Sequence, residues 1–277
     1  MAPSPQSNSL SASLRLPAIS LAGLCVIFFL TALSLDVVIA QEISTLLASG
    51  DRANRSYNTR AAITWYEKAE SAEQDHYETL IRLARAYNDL GRLALRRSDS
   101  AEYFYRRGVA YAERMAKAYP DSSSSWLMLA LCHGSLAPFK SLGDKLELGR
   151  DVRENALRAA KLDTNAALPH VVLGIFYRAA ARLKWWERTL VNTILGKDFE
   201  GTIEQAEGSI RKAIELEPKN PYAWYELCWI HRSRERTAEA ASALKTVISI
   251  PPTNERERRQ VEDAERQLDR LTLQDAK

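Results

Sequence analysis

The chain has 277 residues, of which 46% are hydrophobic and 26% are charged, and this composition excludes a wholly disordered chain or a protein with many membrane spans. Its 11 Gly and 10 Pro residues are few for an all-β fold of many short strands, so helices are favoured. The formal net charge is only +3, with the two signs interspersed, which argues against a dedicated nucleic-acid-binding surface.

The first predicted element is an apolar run at residues 16–35, which is the only stretch of membrane length in the sequence. Small and branched residues at 38–40 then permit cleavage by a signal peptidase before Gln41. If the run is left uncut, it is long enough to span a bilayer, and the charges around it place the rest of the chain outside. We therefore predict that residues 1–40 are a signal peptide or a membrane anchor and that the protein is exported, periplasmic or anchored facing outward. An uncut anchor of reverse orientation would instead leave the chain cytoplasmic.

Residues 41–277 are predicted to form one domain built from a helical repeat. Each copy has an opening bulky residue, a Leu beside a small residue, an aromatic position, and then Ala and bulky positions before a Pro. The clearest copy runs from Trp224 to Pro252. Pro218, which closes the preceding copy, lies 34 residues before Pro252, and 34 residues is the period of this repeat. Weaker copies in the same phase open at Leu80, Trp126 and His170. This pattern is typical of tetratricopeptide repeats and predicts an all-α, right-handed solenoid of four to five helix pairs.

The first three copies are longer than this period, and we predict that their extra residues are inserts between the two helices of a pair. The longest insert, at about residues 183–202, contains the sequence Trp-Trp-Glu-Arg. Trp186 and Leu190 fall on one helical face, so residues 184–195 are predicted to form an extra amphipathic helix. This helix either caps the core or forms a lip over a groove, with Trp185, Trp186 and Leu190 as the lip residues.

The last predicted element, residues 255–277, is a charged helix that has an apolar face. That face consists of Val261, Ala264, Leu268 and Leu271. A solenoid needs a terminal cap because its last repeat has no neighbour to cover its apolar surface, so we predict a C-terminal capping helix here.

The irregular inserts and the Trp-Trp-Glu-Arg segment resemble the regulator of microtubule dynamics protein family. The stretches that carry the resemblance are RLARAYNDLG (82–91), VVLGIFYRAAARLKWWERTL (171–190), IRKAIELEPKN (210–220) and SALKTVISIPPTNERE (242–257), within a resemblance that covers residues 43–272. It implies an α-helical adaptor that, in eukaryotic members, associates with microtubules, the spindle or organelle membranes. Because little sequence separates the apolar run from the repeats, the chain looks like a bacterial branch with a signal peptide, for which a microtubule role is not expected.

The first helix of each pair is expected to line a concave groove. The residues predicted to line it or to bind a ligand there are Leu127, Leu131, Leu168, Val171, Ile175, Arg178, Tyr222, Tyr225, Trp229 and Arg232, with Ile81 and Arg85 in the first copy. A large apolar lining is seldom left open, so either the protein's own insert or terminal helix fills it, or an apolar guest such as a lipid chain or an amphipathic peptide helix does. Arg178 and Arg232 either hold a carboxylate or phosphate or form solvated ion pairs.

No motif of nucleophilic, nucleotide-dependent or metalloprotease catalysis occurs, and the three Cys and four His are scattered. We therefore predict no metal, no cofactor and no enzymatic activity. The predicted function is that of an adaptor or scaffold that binds a protein or peptide partner in its groove. The alternatives are a carrier of a hydrophobic ligand such as a lipid, and a microtubule-associated regulator as in eukaryotic members. Nucleic acid is not an expected partner, and membrane contact is expected only through residues 16–35 if they are not cleaved.

Overall fold

The computed structural model describes residues 21–95, 98–184, 188, 189, 191, 193 and 201–275, with the side chains of 21–36, 98, 99, 274 and 275 outside the description. By their contacts these residues form two units, which meet in the sequence between Gln41 and Glu42. The described residues form helices and turns without any β-strand, which confirms the all-α prediction. Among the described side chains, no helix has the length and apolar character needed to cross a membrane. The apolar run at 16–35 lies outside them.

Helices follow one another in pairs along the described chain. Their bounds are α1 (Leu21–Arg55), α2 (Thr59–Ala72), α3 (Tyr77–Leu93), α4 (Ser98–Ala118), α5 (Ser123–Leu136), α6 (Leu142–Leu162), α7 (Ala167–Ala181), α8 (Ile203–Leu216), α9 (Pro221–Ser233), α10 (Thr237–Ser249) and α11 (Glu255–Asp275), with a 3₁₀ turn at Ala137–Phe139. In the unit that begins at Glu42, the end of α1 pairs with α2, and α11 is the single last helix. Four to five helix pairs with a terminal cap were predicted, and this arrangement confirms them.

Side-chain caps fix where several of these helices begin. The Asn58 and Ser141 side chains accept hydrogen bonds from backbone N–H groups in the first turns of α2 and α6. Thr202 and Gln205 form a reciprocal capping box at the start of α8, and Asn220 accepts two backbone N–H groups of α9. Each cap satisfies N–H donors that have no partner within the helix, so the boundaries follow from local sequence.

Two tryptophans show that the repeat phase is correct. Trp126 Nε1 donates to the carbonyl oxygen of Pro120 at 2.7 Å, and Trp224 Nε1 donates to that of Pro218, also at 2.7 Å. Each tryptophan opens a first helix, and each proline closes the preceding pair six residues earlier. The same hydrogen bond therefore recurs at equivalent positions in two repeats.

Small residues set the close approach of paired helices. A Cβ added to Gly174 of α7 would lie 2.5 Å from Ile210 Cδ1 of α8. Ala206 and Ala213 of α8 are fully buried in the same seam. Close-packed interiors leave no room for additional atoms, so these positions hold α7 and α8 at a short distance.

The predicted position of the extra residues was wrong for the first two long copies. α3 ends at Leu93 and α4 already begins at Ser98, and α4 and α6 are each 21 residues long. The extra residues therefore lengthen the helices, because the apolar helical period continues beyond the usual repeat length. Only the third long copy has its extra residues between helices, after Ala181 and before Ile203.

Most of that third insert lies outside the described residues, including the predicted lip residues Trp185, Trp186 and Leu190 and most of the predicted helix at 184–195. The described positions 188, 189, 191 and 193 are helical, and the Val191 side chain is buried.

The first helices lie on the inner side of the curve. α3 packs on α5, α5 on α7, and α7 on α9, whereas the second helices of successive pairs approach each other less closely. Elements on the inside of a bend are the ones that converge, so this face is the concave one. The last pair is covered by α11, whose Val261, Ala264, Leu268 and Leu271 pack on Cys228, Ala240, Ala243, Leu244 and Val247.

Candidate binding groove

The terminal helix α11 covers one end of the concave face that the first helices α3, α5, α7 and α9 form. Tyr222 of α9 donates to Glu257 Oε1 at 3.3 Å. Gln267 Nε2 donates to the Tyr225 hydroxyl at 2.8 Å, and Arg232 donates to Gln267 Oε1 at 2.9 Å. Three of the predicted groove residues are therefore bound by the protein's own last helix.

The aromatic side chains of α9 form a connected cluster at this covered end. The Tyr225 and Trp229 rings meet edge to face with centroids 6.4 Å apart, and the Arg232 guanidinium lies 4.8 Å from the Trp229 ring centroid. Burial raises the pKa of both Tyr222 and Tyr225. These phenols therefore remain neutral hydrogen-bonding groups near neutral pH.

Arg178, which was predicted to bind an anion or to be paired, has an internal partner. Its Nε and Nη2 lie 2.9 and 2.8 Å from Glu226 Oε2 of α9, and the two side chains are only 18% and 13% exposed. Burial raises the pKa of Glu226, while Arg178 opposes that rise. The pair joins two neighbouring first helices, so the charge of Arg178 is already balanced.

The apolar residues predicted to line the groove differ in their exposure. Leu127 and Val171 are buried in the seams between helices. Leu131 and Leu168 are half-buried against the same seams. Ile175 is 37% exposed. Ile175 is therefore the member of this group that presents the most surface to solvent.

A cavity of about 310 Å³ lies at the N-terminal side of this face. Its lining consists of Asp51, Asn54, Tyr66, Glu78, Ile81, Arg82, Arg85, Ala86 and Asp89. Arg82 donates to both oxygens of Asp51 at 2.9 and 3.1 Å, and Tyr66 donates to Asp51 at 2.8 Å. Burial alone would raise the pKa of Asp51, but these hydrogen bonds hold that pKa below its usual value.

A second cavity, of about 210 Å³, lies between α3, α9 and α11. It is lined by Asp89, Arg92, Leu93, Leu95, Tyr225, Arg256, Arg259, Gln260 and Asp263. Here the Arg256 Nη1 of α11 is 3.5 Å from Asp89 Oδ1 of α3, and its guanidinium lies 4.5 Å from the Tyr222 ring centroid. Sequence reasoning missed Asp89 and Arg256, although the spacing of Arg85, Asp89 and Arg92 along one helix face was readable.

Two of the cysteines and two of the histidines are packed inside the repeats. Cys132 and Cys228 are buried free thiols, and burial raises the pKa of Cys228 to about 11. His133 and His231 occupy equivalent repeat positions, and burial lowers the pKa of both. In the part of the chain that the structure describes, no group of three His, Cys, Asp or Glu side chains is placed to hold a metal ion.

Comparison with a solved structure supports the repeat fold. The chain is similar to TTC0263, a thermophilic tetratricopeptide-repeat protein of Thermus thermophilus, with a TM-score of 0.58 and 18% sequence identity. The likeness covers 80% of this chain and 98% of that one. Together with the paired helices, it confirms the predicted tetratricopeptide solenoid.

Sequence relatives identify the family. Regulator of microtubule dynamics protein 3 of Rattus norvegicus is 28% identical over 180 residues, which is 64% of this chain and 38% of the relative. Protein 1 of Bos taurus is 23% identical over 180 residues, covering 64% and 55%. Protein 2 of Homo sapiens is 26% identical over 168 residues, covering 60% and 41%. The chain thus spans about half of these relatives' length or less. The family profile described as Regulator of microtubule dynamics protein 1-3 matches residues 39–272, so this chain belongs to the regulator of microtubule dynamics protein family.

Proposed function

We propose that the chain is a non-enzymatic scaffold that binds a protein partner on the concave face formed by α3, α5 and α7. The observation that carries the proposal is that the chain's own last helix covers only one end of the concave face. α11 occupies the α9 end through Tyr222, Tyr225 and Arg232, while Ile175 of α7 stays 37% exposed. A rigid helical face that presents a partly exposed apolar side chain can bind an extended or helical segment of another protein.

Site-specific photo-crosslinking tests the proposal. A photoreactive amino acid replaces Ile175 in the full chain, and the same replacement at Leu157 is the matched control. Leu157 has similar exposure, 41%, but lies on α6, which is a second helix. We expect a discrete protein adduct from position 175 that is absent from position 157. Identical adducts at both positions, or none at 175, would refute partner binding on this face.

A hydrophobic-ligand carrier receives less support. Charged and polar side chains make up most of the lining of the two cavities described above, whereas an acyl chain needs a largely apolar site. Native mass spectrometry of the purified chain provides the test. A stoichiometric co-purifying lipid would favour the carrier over the scaffold.

Microtubule regulation is the competing function that the relatives' names raise. The relatives are named regulators of microtubule dynamics, but the formal charge of this chain is only +3, which provides little attraction to an acidic polymer. Co-sedimentation with polymerised tubulin tests the point. Saturable binding at physiological salt would favour that function.

The targeting role of the N-terminal segment is a proposal as well. The family match begins at residue 39, which supports a boundary near the proposed cleavage site before Gln41. We propose that residues 1–40 export or anchor the repeat domain. Sequencing the mature N-terminus in the native cell tests this. An intact N-terminus on a cytosolic protein would overturn it.

A further inference from the structure

Three charged residues share the concave face of α3. Arg85, Asp89 and Arg92 are spaced by four and three residues, so they lie above one another on the helix. At these spacings an isolated helix would pair Asp89 with either arginine. The charges of Arg85 and Arg92 do reach Asp89, since both oppose the burial that raises its pKa.

In the folded chain, however, Asp89 faces α11. Its Oδ1 is 3.5 Å from Arg256 Nη1, and the exposed fractions of the two side chains are 12% and 22%. The Tyr222 ring holds the Arg256 guanidinium from one side at 4.5 Å. The docked terminal helix thus engages the carboxylate that would otherwise neutralise the two arginines of α3.

Arg85 and Arg92 are consequently available for another anion. Both are exposed, and neither side chain makes a hydrogen bond or ion pair within the described residues. Other acids in the same two cavities already have partners: Asp51 and Glu78 bind Arg82, and Asp263 accepts hydrogen bonds from Tyr225 and Gln267.

We propose that Arg85 and Arg92 dock an acidic segment of the protein partner. This inference rests on the proposed scaffold function and names the chemistry of its partner. The two arginines are seven residues apart on one helix, which separates their Cα atoms by about 10 Å. Two carboxylates match that distance and lie on one side when they are seven residues apart in a helix, or three apart in an extended segment of polyproline II type. Ile81 beside Arg85, and Leu93 and Leu95 beside Arg92, offer apolar contacts to the residues between them.

Arg256 acts in this site as a positioning residue. It does not contact the acidic segment, but it holds Asp89 away from Arg85 and Arg92. Removing Arg256 alone should release Asp89 to compete for the two arginines and so weaken binding. Removing the Asp89 charge as well should restore it.

Fluorescence anisotropy with synthetic peptides on the full chain tests the proposal. The probes are Leu- and Ala-rich helical peptides of about 15 residues with two Glu seven residues apart, and extended peptides with two Glu three residues apart. Versions with Lys in place of Glu, and with a single Glu, are the controls. We expect one of the paired-Glu probes to bind at least about tenfold tighter than its Lys and single-Glu versions, and to weaken as salt is raised.

Variants of the chain separate this site from general charge attraction. Arg85→Gln and Arg92→Gln should each weaken the paired-Glu probe about tenfold. Arg270→Gln removes an exposed arginine of α11 whose side chain forms no hydrogen bond or ion pair with the described residues, and it should have no effect. Arg256→Gln should weaken binding, and Arg256→Gln with Asp89→Asn should recover it.

Two results would overturn the inference. One is equal binding of the Glu and Lys probes, and the other is equal loss of binding in Arg270→Gln and Arg85→Gln, provided that circular dichroism shows every variant folded. A crosslinked protein at position 175 without any acidic-peptide binding would leave the scaffold function standing and refute only the acidic partner.

Discussion

Gly174 sets the distance between α7 and α8, and substituting it tests the repeat packing directly. A Cβ there would lie 2.5 Å from Ile210 Cδ1, 2.6 Å from Ile210 Cγ1 and 3.3 Å from the Ala206 carbonyl oxygen. Ile210 is fully buried, and the carbonyl belongs to the backbone of α8. In Gly174→Leu the new side chain therefore has to displace Ile210 or move α8 away.

The expected loss follows from the burial of Ile210. Removing a buried Ile side chain from a core costs about 2–5 kcal/mol, and a helical Leu in place of Gly returns about 0.8 kcal/mol. We expect Gly174→Leu to lower the free energy of unfolding by about 1–4 kcal/mol. Gly208→Leu is the matched control, because Gly208 lies on α8 with nothing within 4 Å of an added Cβ, and it should raise stability slightly.

Urea unfolding followed by far-ultraviolet circular dichroism measures both variants. The combination of Gly174→Leu with Ile210→Ala completes a double-mutant cycle, in which the truncated side chain makes room for the new leucine. The double variant should lose at least about 1 kcal/mol less than the sum of the single losses. Strict additivity, or an unchanged midpoint for Gly174→Leu, would show that the assigned contact between α7 and α8 is wrong.

Three further outcomes are expected. Arg178→Leu leaves the buried Glu226 carboxylate without its cation, so the free energy of unfolding should fall by about 3 kcal/mol, and adding Glu226→Leu should recover most of it in the same urea assay. Burial lowers the folded-state pKa of His133 and His231, so their contribution to stability is present above the unfolded pKa of about 6.5 and is lost as the pH falls from there through the lower folded-state pKa. Thermal unfolding at about pH 7 and pH 5 should therefore show a smaller acid-induced drop for His133→Gln with His231→Gln than for the parent chain. Glu235 has a φ of 58°, which favours glycine, so Glu235→Gly should raise the unfolding free energy by up to about 1 kcal/mol, and no gain in the urea midpoint would contradict this.

The repeat fold was predictable because its determinants are local and periodic. Trp126 and Trp224 stand at the same distance from a preceding proline, and Gly174 marks a close helix pair. The lengths of α4 and α6 were not predicted, because a repeat period indicates where pairs begin but not how far each helix continues. Helix length here depends on additional packed residues, such as Tyr105 of α4 against Phe139.

The ion-pair partners of the charged groove residues could not be predicted from the sequence. Arg178 was found by its helical phase, but its partner Glu226 lies on another first helix. Asp89 and Arg256 lie on helices far apart in the chain, and no spacing rule connects them. Charges that pair across a superhelix are set by its curvature, which no local pattern encodes.

The contact between α3 and α11 also bears on how the repeat unit unfolds. In an open solenoid each repeat contacts only its neighbours, so the ends fray independently and the array can lose repeats one at a time. Here Asp89 in an early repeat and Arg256 in the terminal helix share one ion pair. Loss of the terminal helix therefore exposes an early repeat too, and the unit gains cooperativity that its local contacts alone do not provide.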